Sequence, residues 1–304
     1  MDKYGPEKIL QVYNPTTGTL GILIIDSTTL GPGLGGVYFA KNVTVELAFE
    51  RARLHTLMNS LHGIPFGGGC AYINKGNDMR LDLQEFASGV APFANRLFVA
   101  QPGDDIDEEY MELYAYSSGD IRGTVGKPSA LKGIPFDTGA VGLGIGHCVL
   151  ETMRVRGVDG NARVSLHGLG KDSLFAARLL AKRGAKITAI SDGEKANVQK
   201  EGFGVEHLTK MMSGGMDLFG GEVDAEEALK EPVDVLLTTA PLGTGLFNEV
   251  KPRIIAECRL GALDSKTKDV LENEGITVLP GILACGGASL SSYIEYIGGN
   301  IVQM

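Results

Sequence analysis

Hydrophobic positions in the first third of the chain fall in short runs separated by glycine-rich turns. Gly21 to Ile25 is a β-rich run that reads as a buried strand ending at Asp26, and Val37 to Phe39 reads as a second short strand after the turn Gly31 to Gly36. Thr44 to Leu61 reads as a helix, with Thr44 at its N-cap and Gly63 just past its end. Pro65 to Cys70 follows with three consecutive glycines, a composition that suits a flexible loop or a backbone that must approach another group closely. Helical periodicity returns over Asp82 to Ala94 and Glu108 to Tyr116, with a strand-like run at Leu97 to Ala100 between them. The acids Asp104 to Asp107 lie just before the second of these helices, where they complement its positive end. Gly126 to Pro128 and Gly133 to Pro135 form a stiff, turn-rich passage, the natural place for an interdomain hinge.

Beyond that passage the pattern becomes regular. A glycine-spaced helix runs from Thr138 to about Arg156, then a strand at Ala162 to Leu166, a helix at Lys171 to Lys182, and strands at Lys186 to Ser191, Val233 to Thr239 and Ile276 to Leu279. Strands alternating with helices imply right-handed crossovers and a parallel sheet. The first strand-to-helix junction reads His167-Gly168-Leu169-Gly170-Lys171-Asp172-Ser173, a GxGxxG-like turn with serine in the third glycine position. In such a turn the first glycine permits the bend, the second lets a pyrophosphate approach the backbone, and the third needs only a small residue. Asp192 ends the next strand, 22 residues after Gly170, where an acid can bond the hydroxyls of an adenosine ribose. The fold class predicted is therefore α/β: a Rossmann-type doubly wound parallel sheet domain preceded by an N-terminal α/β domain. An acid at position 192 favours NAD, with NADP left open by nearby Lys195.

Composition narrows the partners. The 304 residues suit two domains, and 43 glycines are about double the usual share. A formal net charge of -9 sets nucleic acid aside, because phosphate binding draws on clustered Lys and Arg. Cys70, Cys148, Cys258 and Cys285 are scattered, with neither a disulfide framework nor metal-ligand spacing, so no metal is expected. The apolar runs are too short to span a bilayer and no charged-then-apolar leader opens the sequence, which predicts a cytoplasmic protein without membrane contact.

Several motifs in series carry a family resemblance. Gly31-Pro32-Gly33-Leu34-Gly35-Gly36, Pro65-Phe66-Gly67-Gly68-Gly69, Gly126-Lys127-Pro128 followed by Thr138 to Ile145, Ala189 to Asp192, and Pro280 to Gly287 stand in the order and spacing of the glutamate, leucine, phenylalanine and valine dehydrogenases. The chain resembles that family from about Leu20 onward. The resemblance implies an N-terminal substrate-binding and dimerisation domain, residues 1–133, a coenzyme domain, residues 134–304, and homo-oligomers made through the first. It implies that a C-terminal helix, about 283–304, packs back across the cleft. It implies a coenzyme site of Gly168, Leu169, Gly170, Lys171, Asp172, Ser173, Asp192, Ala240 and Pro241, and a substrate cleft lined by Leu34, Gly35, Gly36, Gly68, Gly69 and Ser291.

The family oxidatively deaminates amino acids with one lysine on the substrate carboxylate, a second lysine of lowered pKa that activates water, and an aspartate that shuttles a proton. By the resemblance these positions fall on Met58, Cys70 and Gly103, and contacts near the nicotinamide fall on Asp137, Val141, Leu263 and Cys285. Cys70, Asp104 and His55 are then the candidate catalytic groups, with His62 behind them. Two functions stand open: an NAD(P)-binding oxidoreductase acting by hydride transfer on an amino-acid-like, carbonyl or imine substrate, and a non-catalytic relative serving as a nucleotide-binding or regulatory subunit.

Overall fold

In the computed structural model, which describes residues 2–104, 106–213, 223–242 and 251–302, the alternating apolar residues of the N-terminal strands face two different helix layers. The strands are β1 (Lys8–Tyr13), β2 (Leu20–Ser27), β3 (Gly33–Ala40), β4 (Gly67–Asn74) and β5 (Phe98–Pro102), and the helices α1 (Val45–Leu61), α2 (Met79–Val90) and α3 (Glu108–Ser117). The sheet order is β1-β2-β4-β3-β5, with β4, β3 and β5 parallel and the β1 side antiparallel. Leu23, Ile25, Val37, Phe39, Ala71 and Ile73 pack with Leu83, Phe86 and Met111 of α2 and α3. The alternate residues Ile22, Ile24, Tyr38, Cys70 and Tyr72 pack with Ala48 and Ala52 of α1. This is the period of two that a strand imposes, with both faces buried.

The triple glycine is not a flexible loop. It begins β4, in the middle of the sheet, because nothing larger fits: a Cβ on Gly67 would lie 1.8 Å from the Ser27 carbonyl and one on Gly68 would lie 2.1 Å from Thr56 Oγ1. On the facing strand a Cβ on Gly35 would lie 1.7 Å from the Gly69 carbonyl. Asn59, wholly buried on α1, fixes the approach by donating through Nδ2 to the carbonyls of Gly67 (2.6 Å) and Leu34 (3.3 Å).

The second unit is compact over Gly139–Gly287. Its elements are α4 (Ala140–Arg156), β6 (Arg163–His167), α5 (Lys171–Lys182), β7 (Lys186–Ser191), β8 (Lys195–Val198), α6 (Val205–Ser213), β9 (Val223–Asp224), α7 (Ala225–Leu229), β10 (Val235–Thr238), β11 (Ile254–Glu257), α8 (Ser265–Asn273), β12 (Thr277–Leu279) and α9 (Gly281–Ala284). The sheet order is β12-β11-β10-β6-β7-β8-β9. Strands β12 to β7 are parallel, as the alternating pattern predicts, but β8 returns antiparallel through a tight turn at Asp192 and β9 follows it antiparallel. The glycines of α4 let it lie directly on α5, since a Cβ on Gly142 would meet the Asp172 carbonyl at 2.5 Å.

The last helix is α10 (Gly287–Tyr296). The described residues from Ala288 onward, to 302, pack with the first unit, residues 2–138, and continue the chain beyond the compact Gly139–Gly287. The reason is chemical. Glu295 is buried and accepts from Lys127 Nζ (2.5 Å) and from the backbone N–H groups of Gly126 and Ile134, both at 2.8 Å. Lys127 also donates to the Thr124 carbonyl, and Ser289 donates to Asn59 Oδ1 at 2.7 Å. The Gly126 to Pro135 passage is thus stapled to the C-terminal helix by one carboxylate.

Removing one partner of a buried pair strands the other charge. Lys127→Met is expected to lower stability by about 3–5 kcal/mol in urea unfolding, whereas Arg154→Ala, which breaks an exposed pair with Glu151, leaves the midpoint unchanged. Equal midpoints for the two variants would show that the staple contributes nothing.

Candidate active site

The coenzyme half lies where β6 runs into α5. Gly168 adopts φ 82°, a left-handed conformation, and a Cβ there would sit 2.2 Å from Thr239 Oγ1 and 3.2 Å from the Ala240 nitrogen. The turn is therefore pressed against the end of β10, the neighbour on the other side of β6, which brings Gly168 beside Ala240. The chain leaves β6 for β7 on one side and β10 on the other, which is the switch point where open α/β sheets bind ligands. Gly170 is the N-cap of α5, with no atom closer than 3.9 Å to the place of a Cβ. That open approach, above the positive end of a helix, fits a pyrophosphate. Ser173 is buried and turns its hydroxyl inward, donating to the Gly170 carbonyl at 2.9 Å and accepting from the Gly170 N–H at 3.1 Å, so its side chain does not intrude.

Around this turn Leu169 and Asp172 are half-buried, while Lys171 and Pro241 are exposed. Asp192 is exposed at the end of β7 and accepts from the Glu194 and Lys195 N–H groups, both at 2.8 Å and both on Oδ1. The Lys195 amide first, then that of Glu194, holds its carboxyl below the usual range, so it is ionised at neutral pH. His167 is buried at the end of β6 and burial lowers its pKa, which keeps it neutral. At the end of β11, buried Glu257 accepts from the Leu263 N–H (2.6 Å), the Gly281 N–H (2.7 Å) and Lys268 Nζ (2.8 Å), fixing both following loops. Cys285, near its carbonyl, has a thiol pushed up by burial.

The substrate half, on the first unit, departs further from expectation. Leu34, Gly35, Gly36, Gly68 and Gly69 are adjacent on β3 and β4, all buried, and the glycines serve strand approach. Ser291 on α10 is buried, with its hydroxyl unpartnered among the described residues. Cys70 is fully buried against α1 and burial pushes its thiol far up, so it is no thiolate and no nucleophile. His55 is 2% exposed, and burial, with Arg51 adding to it, pushes its pKa down to about 3, so it supplies no cation. Its Nε2 accepts from the Gly36 N–H at 3.3 Å and lies 3.4 Å from the Tyr38 hydroxyl. Met58 is buried and His62 caps the end of α1. A Cβ on Gly103 would lie 2.1 Å from the Val37 carbonyl and 2.5 Å from the Tyr38 ring, so that backbone admits no acid there. Asp104 is exposed beside it, and Asp107, from the same acidic run, caps α3 by accepting from the Tyr110 N–H; Asp105 lies outside the described residues.

Sequence reasoning missed the group that fills this region. Tyr38 and Tyr72 stack with centroids 5.1 Å apart, and the Arg51 guanidinium stands 5.1 Å from the Tyr38 ring centre. The guanidinium is charged at any working pH, and Asp104 lies within its electrostatic reach. Arg51, His55 and Asn59 recur every fourth residue along one stripe of α1, the helical signal that could have found them.

The family model for Glutamate/Leucine/Phenylalanine/Valine dehydrogenase matches residues 133–303, and that for the Glu/Leu/Phe/Val dehydrogenase dimerisation domain matches residues 6–112. The NADP-specific glutamate dehydrogenase of Saccharolobus shibatae is 28% identical, over 96% of this chain and 75% of its own. The catabolic NAD-specific glutamate dehydrogenase RocG of Bacillus subtilis is 26% identical, over 89% of this chain and 69% of its own. The hetero-hexameric glutamate dehydrogenase of Thermus thermophilus shares the fold, with a TM-score of 0.83 at 23% identity over 96% of this chain and 76% of its own. No helix among the described residues is long and apolar enough to cross a membrane.

The depressed His55 pKa makes a stability statement. Folded His55 stays neutral down to about pH 3 while the unfolded side chain protonates near 6.5, so its contribution is full above 6.5 and is lost as pH falls toward 3. The slope is about 1.4 kcal/mol per pH unit in that window. His55→Gln, which keeps an acceptor but cannot charge, is expected to flatten the acid limb in urea unfolding between pH 7 and 5; parallel limbs in the two proteins would refute the assignment.

Proposed function

The chain belongs to the Glu/Leu/Phe/Val dehydrogenase family, and from that premise we propose that it is an NAD(P)-binding oxidoreductase that transfers hydride to or from a carbonyl or imine compound. The observation that carries the reading is the turn at Gly168, Gly170 and Ser173, whose open approach at the N-terminus of α5 fits a pyrophosphate. The ionised Asp192 would bond ribose hydroxyls and repel a 2'-phosphate, which favours NAD(H). The relatives include both an NADP-specific and an NAD-specific enzyme.

The nicotinamide, when bound, supplies or accepts the hydride; the chain's own residues decide what else can happen. By the resemblance, Met58, Cys70 and Gly103 stand where the family places its two lysines and its aspartate. A neutral, sealed thiol cannot activate water, and Gly103 offers no carboxylate. Water-dependent cleavage of a C–N bond therefore lacks its base, while hydride addition to a preformed iminium ion gives a neutral amine with no proton to move, and addition to a carbonyl needs one proton on the oxygen, which solvent supplies. The substitutions favour such a substrate over ordinary amino-acid deamination. Dimerisation through the first unit, and a reducing cytoplasm for the free thiols, complete the reading.

A second reading has its own support. The Tyr38 ring stands where a side chain at 103 would go, and a Thermus thermophilus relative is hetero-hexameric, so a non-catalytic subunit that binds nucleotide and joins an active partner is the alternative.

Calorimetric titration tests the first reading: NADH is expected to bind more tightly than NADPH, with Asp192→Asn narrowing the difference. Gly170→Val fills the open approach with a residue its extended backbone tolerates, and is expected to weaken NADH at least about tenfold, or ~1.4 kcal/mol, without lowering the melting temperature. Neither coenzyme binding at millimolar concentration would end the redox reading; binding without turnover on any carbonyl or imine would favour the second.

A further inference from the structure

We propose that the amino-terminal edge of the second sheet carries a binding site for a sugar phosphate, built on Arg163, Lys186 and Lys200. The site is separate from the coenzyme turn and stands whether or not the oxidoreductase reading does.

A pocket of about 520 Å³ opens there, lined by Asn161, Arg163, Lys186, Lys200, Glu231 and Pro232. Its volume falls within the range of small-molecule pockets, about 300–1,000 Å³. Topology makes it: Arg163 and Lys186 are the first residues of the paired strands β6 and β7, Lys200 follows β8, and Glu231 and Pro232 lead into β10. Gly168 and Asp192 stand past the other ends of the same two strands, at least roughly 13 Å away at about 3.3 Å per residue. A ligand here leaves the pyrophosphate approach clear.

Three cations share this pocket with one carboxylate, in a chain whose net charge is -9. Like charges gathered in one place repel unless each is met, and among the described residues these are not met closely. Arg163 reaches Glu231, and Lys186 reaches Glu201, only at 3.7 Å, beyond hydrogen-bond length. The Glu201 side chain is 96% exposed, so that pair is screened, and Lys200 has no ion-pair partner among the described residues. By contrast Arg53, Arg154 and Lys268 close on their carboxylates at 2.8, 2.6 and 2.8 Å. Arg163 Nε is buried with no hydrogen-bond partner, and Asp234 accepts at 3.0 Å from the Arg163 backbone N–H, not from its guanidinium. The donors of all three cations are thus unspent. A phosphate monoester, which carries close to two negative charges at neutral pH, matches them, and the planar guanidinium fork suits its oxygens. The rest of the lining selects the body of the ligand. The Glu231 carboxylate accepts from hydroxyls and repels a second acid, the Asn161 amide both donates and accepts, and the Pro232 ring offers an apolar face to the C–H side of a sugar.

The test is calorimetric titration of glucose 6-phosphate, ribose 5-phosphate, glucose, inorganic phosphate and citrate into the wild-type protein, the double variant Lys186→Gln/Lys200→Gln, and Gly170→Val. At least one sugar phosphate is expected to bind the wild type, more tightly than inorganic phosphate or citrate, and uncharged glucose is expected not to bind. Both lysines are exposed, so the double variant keeps its fold, and it should weaken the sugar phosphate at least about fivefold. Gly170→Val closes the coenzyme turn at the far end of the strands and should leave that affinity within about twofold, as independent sites do. Neither sugar phosphate binding at millimolar concentration, or a smaller loss in the double variant, would overturn the site. Loss of binding in Gly170→Val would overturn it too, by placing the ligand at the coenzyme turn. Inorganic phosphate or citrate binding as tightly as the sugar phosphates would overturn the ligand class. If a melting curve shows that the double variant has lost its fold, Lys200→Gln alone takes its place, with a loss of at least about twofold expected and a smaller one counting against the site.

Discussion

The first unit depends on a contact with no side chain in it. β3 and β4 run parallel with Gly35 facing the Gly69 carbonyl, and α1 lies on them so closely that Gly68 meets Thr56. Any Cβ at these points overlaps backbone, and backbone cannot rotate away as a side chain can. Two strands and a helix are therefore locked at one separation, and Asn59 ties the same three elements together. The cost is that the strands supply few chemical groups of their own at this point. Chemistry in the region must come from positions beside the glycines, from Leu34, Tyr38 and Cys70, and from the face of α1.

That limit explains the polar residues buried beneath α1. Close packing leaves little water, so each polar group needs a protein partner or must give up its charge. Asn59 finds two carbonyls and a serine hydroxyl, and Glu295 finds a lysine and two amides. His55 takes the other route: one nitrogen accepts from Gly36, the other has no partner among the described residues, and the ring stays neutral. Arg51 cannot neutralise; its guanidinium stands over the Tyr38 ring, with Asp104 in electrostatic reach.

The coenzyme half was the more legible part because its signal is local. Gly168, Gly170 and Ser173 fall within one turn of backbone, and the strand before and the helix after could be recognised from period alone. The β8 and β9 additions were not legible, since short antiparallel strands beside a glycine turn carry no crossover helix to announce them. The triple glycine misled for a different reason. Glycine in a strand reads as a weak former, and the packing that demands it comes from Ser27, Thr56 and Phe98, residues distant in sequence. The same distance hid the Lys127–Glu295 staple, 168 residues apart, which packs α10 with the first unit.

The two halves also differ in what a substitution can change. A pyrophosphate cradle is made of backbone and helix terminus, so Ser173 in place of a glycine alters little once its hydroxyl folds back onto Gly170. A site that moves protons is made of side chains, and there a substitution can alter the reaction without altering the fold. On the proposed reading, the buried thiol of Cys70 and the bare backbone at Gly103 supply no water-activating base, and the hydride step rests on the coenzyme half. On that reading coenzyme chemistry outlasts deamination in this scaffold, because a phosphate cradle asks for backbone and a helix terminus and not for side chains that titrate.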